Sequence, residues 1–536
     1  MLPRPTSPPA RRRGADALPR LRVAPGSGAA VGRRDRILRG SAAAVSGVLL
    51  ALAQPPHDLD LLVFAALVPL VWAWRRTTWR DGAVNGYAFG LVYFAITLGW
   101  SRHFGFLAFV ALVLANAVAF LIVGGLVGAF SRRGLHSPWL VAAVWVVGEG
   151  LRNRVVLGGM PWGEAGLALH GVPWGRAVAT WGGIPLVSFL IVAWNGWVLD
   201  LGRAAADRRR ALVPLGALAA VLLVGVGASV LRPESRATGT LRYALLQADT
   251  LDRELTAAEQ MSNYQTEQHF ALADRLRGRY DLVVFPESAL ERDPERDPVL
   301  RRRIVALADR LGATVVVNAR TAAPGGGLYN ANLVYDPGGT LQGEYAKRHL
   351  VPFGEYVPLR GLLDWIPQLG RVSYDYTPGR SPTRFRAGGH PFETVICYES
   401  AYPRYSRDAV GRGAELLVVS TSNRSFGRSG LSAQHVALSQ MRAAETGRPV
   451  LHAAVSGATA VIDPDGRVRQ RSALFERAIT RGTVTTTAGT TPSVRLGDWV
   501  LAACLVGLVA GAVVARRRGP SPDRPYTDDR RGEHRG

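Results

Sequence analysis

Apolar residues gather along this chain into long charge-poor runs before residue 232, one further run near the C-terminus, and short alternating bursts between them. Eight runs read as candidate membrane segments: 40–53, 61–74, 83–100, 104–130, 139–151, 182–201, 211–231 and 499–515. Crossing the hydrocarbon takes about 20 residues of helix, so the first, second and fifth runs predict tilted, flank-extended or re-entrant segments. After the seventh run the pattern changes. Brief β-branched stretches at 243–247, 282–285, 314–318, 333–335, 394–397, 416–420 and 450–454 interleave with helical periodicity near 263–276, 298–311 and 432–446. Strands buried on both faces and alternating with helices predict an α/β domain. A doubly wound nucleotide-binding sheet is compatible with that alternation, although no GxGxxG follows the first strand. The expected organisation is a disordered Pro-, Gly- and Arg-rich tail at 1–39, a polytopic α-helical membrane domain at 40–231, a soluble α/β domain at 236–495, a last span at 499–515 and a disordered basic tail at 516–536.

Charge orients this arrangement. The 64 basic residues exceed the 41 acidic ones, for a net charge of +23, which on a soluble protein would suggest nucleic-acid binding. Their distribution argues against it. Arg11, Arg12 and Arg13 lie in the N-terminal tail; Arg75, Arg76 and Arg80 follow the second run, Arg132 and Arg133 the fourth, and Arg203, Arg208, Arg209 and Arg210 the sixth. The loops after the first and third runs carry none and one, Arg102. Basic residues accumulate in short cytoplasmic loops, so both termini are expected in the cytoplasm and the α/β domain outside, with the membrane and its anionic headgroups as partner, and no nucleic acid. No cleavage site adjoins the first run, which reads as an anchor. Glu149, near the end of the fifth run and one turn from Arg152, reads either as half of an interfacial ion pair or as a functional group. Gly124 and Gly128 fit a small-residue contact between helices.

Candidate chemistry sits where strands of the α/β domain end. Phe285-Pro-Glu287 closes the second strand, Tyr345-Ala-Lys347-Arg-His-Leu-Val-Pro-Phe-Gly-Glu355-Tyr-Val-Pro follows a turn, and Cys397-Tyr398-Glu399-Ser400 ends a strand and opens an expected helix. Cys397 is the sole cysteine of the soluble part, Cys504 lying in the last apolar run, and Lys347 is the sole lysine of the chain. A thiol attacks as thiolate, so Cys397 needs a base or the field of a helix N-terminus. Glu287 is the available base, and Lys347 would stabilise an oxyanion together with a backbone N–H near Tyr398. Singly, each of these residues reads more readily as a turn or cap, a core residue or a solvated charge; the three together are far more specific.

In that order, with those flanks, the residues resemble the nitrilase superfamily of carbon–nitrogen hydrolases. With the membrane segments added, the chain resembles the apolipoprotein N-acyltransferase family. Trp145-Val-Val-Gly-Glu149-Gly-Leu-Arg152, Met160-Pro-Trp162-Gly163, Gly182-Gly183 and Tyr329-Asn330 extend the match. The resemblance implies an α-β-β-α sandwich with Glu287, Lys347 and Cys397 catalytic, and Glu355, Tyr398 and Glu399 orienting the lysine, shaping the oxyanion site or gating the pocket. It implies a phospholipid acyl donor, a Cys397 thioester, and a diacylated apolipoprotein whose N-terminal amine accepts the chain, at the cell membrane, without metal or dissociable cofactor. Trp162 and Trp174, in the apolar loop 158–174, are candidates to line a lipid entrance. Two segments depart from the family pattern: Ser422-Asn423-Arg424-Ser425-Phe426-Gly427, where Ser425 replaces a bulky aromatic, and Gln247-Ala-Asp249, which lacks the usual Asn. His349, His435 and His452 have no metal-ligand spacing and are expected to be packing or surface residues; Asn423-Arg-Ser matches a glycosylation tripeptide of little specificity. A membrane-tethered amidase or nitrilase, with water as acceptor, and a non-catalytic membrane scaffold remain as rival readings.

Overall fold

The computed structural model describes residues 32–155, 158–204, 207–233, 235–253, 255–363 and 374–518. Seven helices precede the first strand: α1 (Arg33–Ala53), α2 (Val68–Trp74), α3 (Trp79–Thr97), α4 (Phe106–Ser131), α5 (Pro138–Arg152), α6 (Pro173–Ala204) and α7 (Arg208–Val230). Among the described residues, five helices are long and apolar enough to cross a membrane: α1, α4, α6, α7 and the C-terminal helix at Trp499–Arg518. By length and composition, five of the eight expected spans meet that criterion. The run at 61–74 divides into a 3-10 turn, Asp60–Phe64, and the two-turn α2. Helix α3 carries Arg80, Asp81 and Asn85, and α5 has only 15 residues. The tail expected at 1–39 gives way to helix at Arg33, and helix continues to Arg518 at the other end; the rest of both expected tails lies outside the described residues.

Glycines set the closest helix contact. A Cβ on Gly86 of α3 would lie 2.0 Å from the Phe120 carbonyl oxygen of α4, and one on Gly124 of α4 would lie 2.1 Å from that of Gly82, so the two backbones meet where side chains are missing.

The α/β domain comprises strands β1 (Arg236–Gln247), β2 (Leu282–Val284), β3 (Thr314–Ala322), β4 (Leu328–Tyr335), β5 (Leu341–Ala346), β6 (Arg384–Ala387), β7 (His390–Ile396), β8 (Leu416–Thr421), β9 (Val450–Ala454), β10 (Ala460–Ile462), β11 (Val468–Arg471) and β12 (Ala478–Ala488). Its helices are α8 (Ala257–Met261), α9 (Tyr264–Ala273), α10 (Pro298–Leu311), α11 (Arg360–Leu363), α12 (Pro403–Gly411), α13 (Leu431–Thr446) and α14 (Pro492–Leu496), before the C-terminal α15 (Trp499–Arg518). The strands form two six-stranded sheets, ordered β12-β1-β2-β3-β4-β5 and β11-β10-β9-β8-β7-β6, each with a parallel centre and antiparallel edges. Period-two alternation divides their side chains. Leu245, Val284 and Val316 of the first sheet share one core with Ile396, Val418 and Leu451 of the second, so the sheets pack face to face. Val283, Val315 and Val317 face α9 and α10 on the other side. Val395, Leu417 and Val419 of the second sheet join a core that runs through α12 and α13 into the membrane helices. The result is an α-β-β-α sandwich whose second helical layer rests on the membrane domain.

Helix α13 is buried almost all round, as a helix must be when a sheet lies on one side and a second domain on the other. At its C-terminal end Glu445 reaches the break in α6. Gly183 there adopts φ 70°, which interrupts the α6 ladder, and the freed N–H of Ile184 donates to Glu445 Oε1 at 3.0 Å. Arg442, one turn back, pairs with the same carboxylate at 2.8 Å.

Candidate active site

Three strand ends converge. Glu287 sits just beyond β2, in a turn where Ser288 has φ 59° and its N–H donates to Asn318 Oδ1 at 2.7 Å. Lys347 follows β5, its N–H donating to the Asn330 carbonyl at 2.8 Å. Cys397 follows β7 in the left-handed region, at φ 52°. That conformation is strained for a residue with a Cβ and persists only where the surroundings hold it.

The Lys347 amine is 1% exposed and has two carboxylate neighbours, Glu355 at 2.8 Å and Glu287 at 3.4 Å. Asn330 bridges the same carboxylates, its Nδ2 donating to Glu287 Oε1 at 2.8 Å and Glu355 Oε1 at 2.9 Å. Asn330 is oriented in turn by Asn318, whose Nδ2 donates to the side-chain oxygens of Asn330 and Asn332, each at 3.0 Å. The other oxygen of Glu287 accepts from Ser422 N–H at 2.9 Å. Burial alone would lower the lysine pKa, but Glu355, Glu287 and the thiol outweigh it and hold the amine well above its ordinary value. Lys347 is therefore a fixed ammonium.

The thiol moves the other way. Burial and the Glu287 carboxylate push Cys397 up to about 12, against the pull of Lys347 and the Thr421 hydroxyl. The helix expected to open at Cys397 is instead a single 3-10 turn, Cys397–Ala401, with α12 starting at Pro403. So short a turn supplies little of the N-terminal field that a full helix would. The resting group is a thiol, and attack requires a base to remove its proton as the bond forms.

Glu399 holds two of the strand ends together. Its Oε1 accepts from the N–H groups of Arg348 and His349 at 2.7 and 3.1 Å, and its Oε2 from Ile396 N–H and the Tyr345 hydroxyl, both at 2.8 Å. It thus ties the lysine loop to the Cys397 turn through the backbone, without touching the amine. His435, expected to be a packing or surface residue, lies behind Cys397: its Nε2 is 3.0 Å from the Cys397 carbonyl oxygen and 2.8 Å from Ser400 Oγ. Burial drives its pKa down to about 4, so the ring is neutral and donates from Nε2. His452 is buried beside it, with ring centroids 4.9 Å apart. His349 is half-buried and packs on Tyr402 at 4.1 Å.

The site faces the membrane helices through aromatic groups. Trp162 is buried, stacks on Tyr398 at 6.3 Å, and donates from Nε1 to Gln434 Oε1 at 2.6 Å. Gln434 also accepts from Trp100 at 3.0 Å and donates to the carbonyls of Pro55 and Thr97. Tyr398 and Tyr402 both donate to the Gly159 carbonyl. Trp174 does not join this group; it packs against Phe64 and lines a lateral apolar cavity of about 250 Å³ between α6 and α7. Glu149 and Arg152 form no direct bond with each other and instead clasp the loop carrying Trp162. Glu149 Oε1 accepts from Ala165 N–H at 2.8 Å, while Arg152 donates to the carbonyls of Met160 and Trp162 at 2.7 and 2.6 Å.

The two segments expected to depart from the family pattern meet in space. Arg424 Nε lies 2.6 Å from Asp249 Oδ2, and Phe426, next to the missing aromatic, sets its ring against Trp100 and Phe104 at 5.3 and 5.0 Å. Asn423 is 2% exposed and has φ 58°, so the glycosylation tripeptide is closed to modification. The roles of Asn318, Asn332, Thr421 and His435 escaped sequence reading because each is a common core residue until its partner is known; the Asn330-x-Asn332 alternation, which puts both amides on one strand face, was the available signal. Among the described residues no group of three His, Cys, Asp or Glu has the geometry to hold a metal.

Residues 46–197 match the family model of the apolipoprotein N-acyltransferase N-terminal domain, and residues 242–491 match that of carbon–nitrogen hydrolases. The apolipoprotein N-acyltransferase of Geobacter metallireducens is 31% identical over 515 residues, covering 91% of this chain and 96% of that protein. That of Azotobacter vinelandii is 32% identical over 521 residues, covering 91% and 97%. Among solved structures, a CN-hydrolase superfamily protein from Xanthomonas campestris covers 50% of this chain and 97% of its own, at 22% identity and a TM-score of 0.37. Matched nearly end to end by such relatives, the chain belongs to the apolipoprotein N-acyltransferase family and is a membrane-bound acyltransferase with a carbon–nitrogen hydrolase domain.

Proposed function

We propose that Cys397, Glu287 and Lys347 carry a two-step transfer of a fatty acyl chain from a phospholipid to the N-terminal diacylglyceryl-cysteine amine of an apolipoprotein. The observation that carries this reading is the buried ammonium held 3.4 Å from Glu287 and 2.8 Å from Glu355, beside a thiol that is protonated at rest. In the first step Glu287 takes the thiol proton as Sγ attacks the ester carbonyl, and Lys347 with a backbone N–H near Tyr398 stabilises the oxyanion. Collapse expels the lysophospholipid alkoxide, which receives the proton from Glu287. In the second step the acceptor amine attacks the thioester, Glu287 takes its proton, and the thiolate leaves and is reprotonated. Glu355, Asn330 and Glu399 position the reacting groups, and Trp162 and Tyr398 line the approach from the membrane.

The catalytic domain, 236–495, is assigned to the outer face, with the membrane domain at 40–231 and the last span at 499–515 anchoring it, because arginine accumulates in the alternate short loops. Both substrates are held in the same leaflet there, which turns a search in three dimensions into a local encounter. Mass spectrometry tests the mechanism directly. Exposure to phospholipid is expected to add one acyl chain to Cys397 as a thioester, which a diacylated lipopeptide then discharges with formation of an N-acyl amide. Free fatty acid without the amide would make the protein a hydrolase, and full cellular function of Cys397→Ala would make it a scaffold.

A further inference from the structure

We propose that the ion pair between Asp249 and Arg424 is a latch that positions Glu287 and Cys397, and that acylation of the thiol depends on it. The inference rests on the acyl-enzyme reading above and assigns to that site two residues with no contact to the reacting atoms. The pair is out of place for a loop: Asp249 is 0% exposed and Arg424 is 9% exposed, with Nε to Oδ2 at 2.6 Å. Withdrawing two charges from water is costly, and good geometry is needed to offset it, so a buried pair under a connecting loop points to a requirement for one conformation.

What the latch fixes is visible on either side of it. Asp249 follows β1 and is held by its own backbone, its N–H donating to the Val455 carbonyl at 3.1 Å and its Oδ1 accepting from Leu251 N–H at 3.1 Å. Arg424 follows three residues that all touch the site. The Thr421 hydroxyl lies beside the thiol. Ser422 N–H donates to Glu287 Oε2 at 2.9 Å. Asn423, at φ 58°, places its side-chain amide 3.1 Å from His435 Nδ1, and the far side of that ring reaches the Cys397 carbonyl at 3.0 Å. The register of these three residues is set by β8 at one end and by Arg424 at the other. Beyond Arg424 the loop is held by Phe426 against Trp100 and Phe104, rings that belong to the membrane domain. With the latch open, displacement of those helices in the bilayer passes directly to the N–H that orients the base. An error of about 1 Å in a reacting geometry costs about 100-fold in rate.

The test uses the full-length protein in phospholipid vesicles and reads single-turnover formation of the Cys397 thioester by mass spectrometry, alongside thermal stability. Arg424→Met and Asp249→Leu each leave one buried charge and are expected to lose both stability and acylation. The double variant leaves none; it is expected to regain stability while acylating about 100-fold more slowly than the parent. Arg424→Lys keeps the charge and changes its reach, and is expected to lower the acylation rate constant without altering the phospholipid concentration at half-saturation. Acylation of a stable double variant within about threefold of the parent overturns the latch. Should that variant fail to fold, a parental rate constant in Arg424→Lys overturns it instead. In either case a thioester on the parent protein leaves the acyl-enzyme reading standing, and its absence there refutes that reading first.

Discussion

Lysine and arginine carry the same charge at neutral pH, and at position 347 only one of them fits. A single nitrogen, 1% exposed, reaches Glu355 at 2.8 Å and Glu287 at 3.4 Å, while a guanidinium spreads the charge over a plane larger than that space. Lys347→Arg is therefore expected to lose acyl transfer by about 100-fold or more. Overpacking so enclosed a position also costs about 1–3 kcal/mol, which lowers the melting temperature. Parental turnover in this variant would remove the oxyanion role. Glu399 makes a second residue-scale argument, since its two oxygens accept four hydrogen bonds and donate none. Glu399→Gln turns one acceptor into a donor facing donors, with an expected loss of about 1–3 kcal/mol in denaturant unfolding; an unchanged midpoint would count against the brace. The primary site residues were legible because each stood out in the sequence: a Pro-Glu at a strand end, a lone lysine among arginines, a lone cysteine in the soluble part. The braces were not legible, because a buried asparagine or glutamate declares its role only through partners distant in sequence.

Elements were legible to the extent that they were buried. Strand β9, helix α10 and the start of β8 fall where alternation and helical periodicity put them, and caps close α10: Asp297 accepts from Val299 and Leu300 N–H groups ahead of Pro298, and Gly312 at φ 60° ends the helix. The edge strands β6 and β11, Arg384–Ala387 and Val468–Arg471, escaped because alternating arginines on an exposed edge look like loop. Among the apolar helices, α3 is set into α4 through its glycines. That contact is testable. Gly86→Val would drive a side chain into the Phe120 carbonyl, 2.0 Å from the new Cβ, with no flexible group to yield. The variant is expected to separate α3 from α4, lower thermal stability in detergent by several degrees and reduce transfer even though the residue lies in the membrane domain. Normal stability in this variant would mean that the two helices do not meet as described.

At the scale of the whole molecule, α13 joins everything: His435 reaches the nucleophile turn, Gln434 the membrane helices, and Glu445 the break in α6. This makes the protonation of its surroundings a property of the entire assembly. His269 and His435 are 0% and 1% exposed, and burial depresses both to about 4, while burial and the neighbouring His435 hold His452 well below its ordinary value. An unfolded chain protonates its histidines near pH 6.5. Between about pH 6.5 and pH 4 the unfolded state therefore binds more protons than the folded one, and folding stability must fall as the pH falls. A shift of that size corresponds to about 3 kcal/mol for each of His269 and His435. The melting temperature in nanodiscs is expected to be level above pH 7 and to drop steeply from pH 6.5 to pH 4, before most exposed carboxylates have titrated. His435→Gln keeps a donor toward the Cys397 carbonyl but cannot take up a proton, so it should flatten the acid limb and retain the fold. A stability that is flat from pH 7 to pH 4.5, or an acid limb unchanged in His435→Gln, would mean that these rings are not the buried neutral groups on which the junction of the two domains is built.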